Sequence, residues 1–325
     1  MRPDRQTVTV VIVNWNGKEE LKACLRSVAE YGGDLGVQII VVDNGSADKS
    51  VDLVRELFPT VEIVESAENL GFGKACNLGV KRATGELILF LNPDARLTPG
   101  ALAHMVQCME TQPDIGGLGC KIRDDQGLVF ELGEQRFPTP LGEFFKLMFV
   151  FSRSFQRCGN LLRRQDPHVS RDVVKLYGAC LLVRRSVFDE LGGFDNRFFM
   201  YCEDIDLCRR ILAAKRRLFY LATAEILHSG GALTEKVCGE FSTLMMCESV
   251  WKFLKKYHGR LGGVGYKLGV FFGASYRSLL CFLLHAGSSL CRSRNRFYWN
   301  AGFRRYGAMV AWSVSLKKAF VPAAR

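Results

Sequence analysis

Short apolar runs alternate with helically spaced apolar positions over the first 230 residues. Thr7 to Val13 is a β-branched run and predicts a first strand, ending at Asn14-Trp15-Asn16-Gly17. Leu21, Leu25 and Val28 then recur at helical spacing. Gln38–Val42 predicts a second strand, Val61–Val64 a third and Leu87–Leu91 a fourth, with helices running to Leu57 and Lys81 between them. Leu87–Leu91 is unbroken by any polar residue and is bounded by Gly85 and Pro93, the pattern of a strand covered on both faces. A helix is expected over Pro99–Glu110, started by Thr98 with Pro99 in its first turn. Ile115–Ile122, Val173–Val183 and Arg217–Leu221 read as further strands, and Arg185–Leu191 as a short helix closed by Gly192-Gly193. Strands alternating with helices predict an α/β fold, a doubly wound and mostly parallel sheet with flanking helices.

Such sheets bind ligands off the C-terminal tips of their strands. Four tips carry polar groups able to gather in one crevice: Asn14, Asp43, Asn69 and Asp94. In Asn92-Pro93-Asp94 the proline ends the strand and leaves a carboxylate at its tip. An Asp beside an oxygen-bearing Asn suits a hard divalent cation carrying phosphates. The plainer reading is that Asp94 caps the next helix. Further on, Glu203, Asp204 and Asp206 open a helix behind the aromatic run Phe198, Phe199 and Tyr201. Acids at a helix N-terminus are favoured by its dipole, which accounts for one or two of them. An apolar wall beside a carboxylate also raises its pKa toward that of a working base. Gly178-Ala179 marks a place where something approaches the chain closely. His228, before a glycine-rich turn, is a candidate metal ligand or phosphate contact.

Composition sharpens the second half of the chain. Hydrophobic residues make up 48% of 325, so the protein is globular. Twelve cysteines include no Cys-x-x-Cys pair, and the polar N-terminus carries no secretory signal, which favours a reducing cytosol. The net charge of +11 belongs to the tail: fourteen Lys and Arg follow Glu248 with no Asp or Glu among them. Residues 269–290 are rich in Phe, Leu and Val but include Arg277 and His285. A charge at mid-bilayer costs at least ~2.5 kcal/mol, so helices lying on an anionic membrane surface are expected rather than a span. The alternatives are a soluble helical appendage or a nucleic-acid tail, and the hydrophobic content is too high for a typical RNA arm. Residues 123–170 are expected to hold a loop with a short amphipathic helix at Phe144–Phe151, followed by a basic segment with Arg153, Arg157, Arg163 and Arg164; a plain helix packed on the sheet is the alternative. The expected division is a catalytic domain over 1–240 and a basic helical region over 241–325.

In their order along residues 7–231, the segments Val11-Ile12-Val13-Asn14-Trp15-Asn16, Val41-Val42-Asp43-Asn44-Gly45-Ser46, Asn69-Leu70-Gly71-Phe72-Gly73, Leu91-Asn92-Pro93-Asp94, Gly178-Ala179-Cys180, Gly192-Gly193-Phe194-Asp195 and Glu203-Asp204 resemble those of the family 2 glycosyltransferases, inverting enzymes of the GT-A fold. Within that family the likeness is to rhamnosyltransferase-type members that build bacterial surface polysaccharides. The resemblance implies a nucleoside-diphosphate sugar donor, with deoxythymidine-diphospho-rhamnose the first choice, and a lipid-linked glycan acceptor at the cytoplasmic membrane face. It implies that Val13, Asn14, Asn16, Asp43, Asn44, Gly71, Asn77, Asn92 and Asp94 bind the nucleotide sugar, Asp43 through the pyrimidine. It implies that Asp94 and His228 hold a divalent cation, Mg2+ or Mn2+. Asn92 stands where the family has an Asp, one charge fewer. Asp204 would be the general base, with Glu203, Asp206 and Tyr201 at the acceptor.

One base opposite a cation-assisted leaving group gives inversion in a single step. Retention by double displacement needs a second carboxylate at the sugar, and the spacing of Asp206 from Asp204 on a helix points it elsewhere. A dinucleotide oxidoreductase would need Gly-x-Gly-x-x-Gly after the first strand, which Asn14-Trp15-Asn16-Gly17 does not supply. A sugar-nucleotide or glycan-binding protein without turnover is the remaining alternative; Asn92 favours it and Glu203-Asp204 opposes it.

Overall fold

The computed structural model describes residues 8–32, 35–130, 135–149, 166–229, 239–290 and 296–317. They form two compact units, one of residues 1–137 and 165–233 and one of 138–164 and 234–321.

The first unit is built on a nine-stranded sheet in the order β3-β2-β1-β4-β8-β6-β9-β5, with β7 paired to β9. The strands are β1 (Val8–Asn14), β2 (Val37–Asp43), β3 (Glu62–Glu65), β4 (Leu87–Leu91), β5 (Ala95–Leu97), β6 (Ile115–Arg123), β7 (Arg171–Asp172), β8 (Cys180–Arg184) and β9 (Arg217–His228). Successive side chains alternate faces. Val8, Val10 and Ile12 therefore enter one core with α1 (Lys18–Tyr31), α2 (Ser50–Leu57) and α4 (Ala101–Thr111), represented by Leu25, Val54 and Met105. Val11 and Val13 enter the opposite core with α3 (Phe72–Val80), α6 (Arg185–Glu190) and α7 (Glu203–Ala213), represented by Ala75, Phe188 and Leu207. Every residue of β4 is buried, as its unbroken apolar run predicts. Its register against β1 pairs Ile12 with Leu91, and β1 pairs Asn14 with Asp43, so the polar tips lie along one edge.

The sheet is mixed rather than mostly parallel. β3-β2-β1-β4 is parallel, but β8 runs antiparallel to both β4 and β6, and β5 and β7 run antiparallel to β9. A strand buried on both faces reads the same in either direction, so the apolar run at 180–184 did not reveal its reversal. Of the expected run 173–183, only Cys180 onward lies in the central ladder. The helix expected from Pro99 begins at Ala101, because Gly100 takes a positive φ of 75° and the Thr98 hydroxyl donates to the Glu225 carbonyl instead of capping. β5 and β7 were not expected. β9 runs seven residues past the expected end at Leu221, with a register shift after it.

The second unit holds α5 (Pro140–Phe149), α8 (Gly239–Leu290) and α9 (Arg296–Ser313). α8 is broken at Gly259, whose φ of 67° and ψ of −167° are non-helical. Its two arms are close, since the Lys267 ammonium of the second lies 5.2 Å from the Trp251 ring of the first. α9 packs along both arms through Trp312, whose indole donates to Glu248 at 3.0 Å and meets Tyr266 edge-on. The segment around Phe144 thus folds with the C-terminal helices: Phe144 lies against Gly269, and Arg277 donates to the Lys146 carbonyl at 2.9 Å. The basic stretch from Arg153 to Arg164 and residues Val150 and Phe151 lie outside the described residues. Among the described residues one helix, Glu240–Ala286, is long and apolar enough to cross a membrane by length and composition.

Candidate active site

Three polar clusters form where the sequence motifs meet. The first joins the tips of β1 and β2. Asn14, fully buried, donates to Asp43 at 3.3 Å, to Ser46 at 3.2 Å and to Ser50 at 2.8 Å. Asp43 also accepts the Ser46 amide at 2.9 Å. An ionised carboxylate has about four acceptor positions, and these bonds use two. Asn16, at a φ of 53°, gives its amide to the Ser46 hydroxyl and accepts the Ala47 amide, which ties the two loops together. Val13 lies in the core beneath. Ser50 was not singled out from the sequence, and Ser46 only as the last residue of the Asp43 segment; their signal was their place three and seven residues after Asp43.

The second cluster sits at the tip of β4 and the end of β9. Asp94 Oδ1 and His228 Nε2 are 3.1 Å apart, both largely enclosed, and the Asn92 amide nitrogen is 3.4 Å from the same imidazole nitrogen. The long β9 brings His228 here by pairing it with Ala95. Among the described residues no group of three or more His, Cys, Asp or Glu could hold a metal ion. A carboxylate oxygen and an imidazole nitrogen side by side nevertheless fit a divalent cation that completes its shell with phosphate oxygens and water.

The third cluster opens α7. Tyr201 and Cys202 both take left-handed backbone angles, φ 69° and 64°, a costly conformation that turns the chain sharply into the helix. Asp204, half-buried, accepts the Gly178 amide at 3.1 Å and the Ile205 amide at 2.7 Å. What comes close to Gly178 is therefore Asp204 itself. Glu203 is only 6% exposed and lies against Gly73, where an added Cβ would sit 3.5 Å from the Glu203 Cβ and 3.1 Å from that of Phe194. Its Oε2 is buried with no hydrogen-bond partner among the described residues. Loss of solvation, and then the charge of Asp204, push the Glu203 carboxyl up to about 8. Burial raises Asp204 as well, against the opposing pull of the Ile205 and Gly178 amides and of Lys175. The environments separate the pair: the negative charge belongs on Asp204, which accepts the Gly178 and Ile205 amides, and the proton on Glu203, whose Oε2 has no partner among the described residues.

These clusters are fastened to each other. Ala179 accepts the Asn92 amide at 3.0 Å while its neighbour Gly178 donates to Asp204, so two successive residues hold the metal-side tip and the carboxylate pair. The Phe199 carbonyl accepts the Phe72 amide at 2.8 Å, tying the aromatic run to the N-terminus of α3.

Several residues expected to bind ligand carry hydrogen bonds within the protein. Asn77 donates to the Phe194 carbonyl and accepts the Phe194 amide, both at 2.8 Å, and so clamps the Gly192–Asp195 loop. Asn44 bonds Asn69, the Gly71 carbonyl and the Leu70 amide. Gly71 is required by its φ of 80° and because a Cβ would run into the Phe199 carbonyl. Asp206 is fully buried and paired with Arg210 at 2.7 Å; Arg210 in turn holds the Leu191 carbonyl. Asn14 supports Asp43 from beneath.

Residues 9–192 match the model of glycosyl transferase family 2. The chain belongs to that family. This family 2 enzyme is 32% identical over 232 residues to the N-acetylglucosaminyl-diphospho-decaprenol L-rhamnosyltransferase of Mycobacterium tuberculosis, covering 67% of this chain and 75% of that one. It is 28% identical over 233 residues to the rhamnosyltransferase WbbL of Escherichia coli, covering 68% and 83%. Its fold is shared with a mannosyltransferase of Pyrobaculum calidifontis solved with GDP-Man and Mn2+, at a TM-score of 0.55 and 17% identity over 97% of this chain and 89% of that one. The family 2 enzyme is thus a glycosyltransferase, as its ordered motifs implied.

Proposed function

We propose that the protein is an inverting rhamnosyltransferase that moves the sugar of deoxythymidine-diphospho-rhamnose to a hydroxyl of a glycan carried on a lipid diphosphate. The observation that carries this reading is the joint fastening of Asp204 and Asn92 by Gly178 and Ala179. It holds Asp204 and the β4 tip at a fixed spacing, which supports in-line displacement with Asp204 as base and the tip toward the diphosphate. The names of the two rhamnosyltransferase relatives support the donor and the lipid-linked acceptor.

Asp43 accepts the pyrimidine N–H with its remaining lone pairs, and Asn14, Ser46 and Ser50 hold it in place. Asp94 and His228 hold a divalent cation, which when bound offsets charge developing on the departing diphosphate. Asn92 adds a neutral oxygen in place of a carboxylate. Asp204 takes the proton of the attacking acceptor hydroxyl. Glu203 stays protonated beneath it and keeps a second charge out of the pocket, a role that replaces contact with the acceptor. Tyr201, at the strained entry to α7, is the acceptor-side contact. The catalytic unit works at the cytoplasmic face of the membrane, and the C-terminal helices bring it there.

The test is a panel of nucleotide sugars incubated with membrane lipid extract and Mg2+ or Mn2+, scoring nucleoside diphosphate release. Release from the deoxythymidine donor alone, dependent on the extract, is expected. Release from a different donor would replace the sugar assignment.

A further inference from the structure

We infer that the second arm of α8 lies along a lipid bilayer through one apolar face running from Leu261 to Leu283. Leu261, Val264, Leu268, Phe272, Leu279 and Leu283 are all exposed, the first to 86%, at spacings of three, four or seven that place them on one side of the helix. The stripe is about 34 Å long at 1.5 Å per residue. Every exposed side chain from Leu261 to Leu284 is Leu, Val, Phe or Tyr. An apolar face of this extent marks an interaction surface.

The two cations in this stretch are turned away from it. Arg277 is 5% exposed, donates to the Lys146 carbonyl at 2.9 Å and stacks over Tyr306. Lys267 bonds the Ser315 hydroxyl at 3.1 Å and lies over Trp251 and Trp312. Arg277 is thus an internal strut between α5, α8 and α9 and does not interrupt the apolar face.

Immersion is one-sided. α9 packs along the same arm, with Gly302 against Cys281 and Phe303 against Phe282, and it exposes Arg304 and Arg305 beside those contacts. A transmembrane arm would carry both guanidiniums into hydrocarbon, which is costly. An arm lying in the interface leaves them in the headgroup region. The charge balance names the surface: with fourteen cations and no acid after Glu248, the partner is an anionic bilayer rather than an acid-bearing second copy. This deepens the functional reading above, resting on it only for the choice of a lipid partner.

The full-length protein and a Leu268→Gln/Phe272→Gln/Leu279→Gln variant are floated with phosphatidylglycerol–phosphatidylethanolamine vesicles and with phosphatidylcholine vesicles, and their masses are measured by light scattering without lipid. The wild type should float with anionic vesicles, and the variant should bind at least tenfold more weakly at unchanged mass and helicity. Leu57→Gln, an exposed change in the first unit, should float like the wild type. A single Phe272→Arg change gives the same direction should the triple variant lose helicity. A variant that floats like the wild type overturns the proposal. So does a wild-type dimer that the triple change converts to monomer, since a second copy would then cover the stripe. Flotation requires no turnover, so nucleotide release measured in parallel separates failure of this proposal from failure of the transferase reading.

Discussion

Replacing Glu203 by Gln removes an ionisable proton from the carboxylate pair and leaves its shape. Burial and the neighbouring Asp204 push the Glu203 carboxyl from 4.5 to about 8 in the folded protein. A group whose folded pKa is raised stabilises the fold fully below its unfolded pKa, and that contribution is lost as pH rises through the folded value. At ~1.4 kcal/mol per unit, wild-type stability should fall by about 5 kcal/mol between pH 4.5 and 8 on this account. The Gln variant lacks that slope. The two proteins should therefore melt close together near pH 5, and the variant should melt later by roughly 10–20 °C at pH 8, taking 2–4 °C per kcal/mol for a unit of this size. Thermal unfolding of both at matched pH from 5 to 8 is the assay. Turnover at pH 7 should stay within about tenfold, because Glu203 is already neutral there and Asp204 carries the charge. Parallel melting curves would refute the burial argument. A hundredfold loss of turnover in a folded variant would refute the division of roles.

Asp204→Asn should bind nucleotide normally and lose transfer by roughly 10²–10⁴-fold, measured by calorimetry and product formation. His228→Ala should raise the Mg2+ or Mn2+ concentration for half-maximal activity at least about tenfold, read from a metal titration. Asn77→Ala should cost roughly 1–3 kcal/mol of stability through loss of both Phe194 bonds while leaving nucleotide affinity unchanged, read from denaturant melts and nucleotide titration.

The parallel half of the sheet was legible because β-branched and apolar runs ending in polar tips have few other uses. The reversal of β8 was not, since burial on both faces erases the alternation that marks direction. Asp94, His228 and Asp204 were legible as candidates because each stood at a strand tip or helix start with a chemistry to offer. Asn77, Asn44 and Gly71 carry the same kinds of signal, yet Asn77 bonds backbone at Phe194, Asn44 bonds backbone at Leu70 and Gly71 makes room for the Phe199 carbonyl, contacts between segments up to 128 residues apart that no local pattern records. Asp206 was ambiguous for a like reason: an acid in the first turn serves the helix, a partner or a substrate, and only the Arg210 ion pair decides. The charge of Arg277 read as an obstacle to a membrane span, and its burial was not visible in the sequence.

The most direct test follows label from deoxythymidine-diphospho-rhamnose into the organic phase of a membrane lipid extract, with wild-type protein, divalent cation and the Asp204→Asn variant as control. Label in the lipid fraction with the wild type and none with the variant is the result expected. Nucleotide binding without label in any lipid, or equal transfer by both proteins, would contradict the account of a lipid-directed transferase with Asp204 as its base.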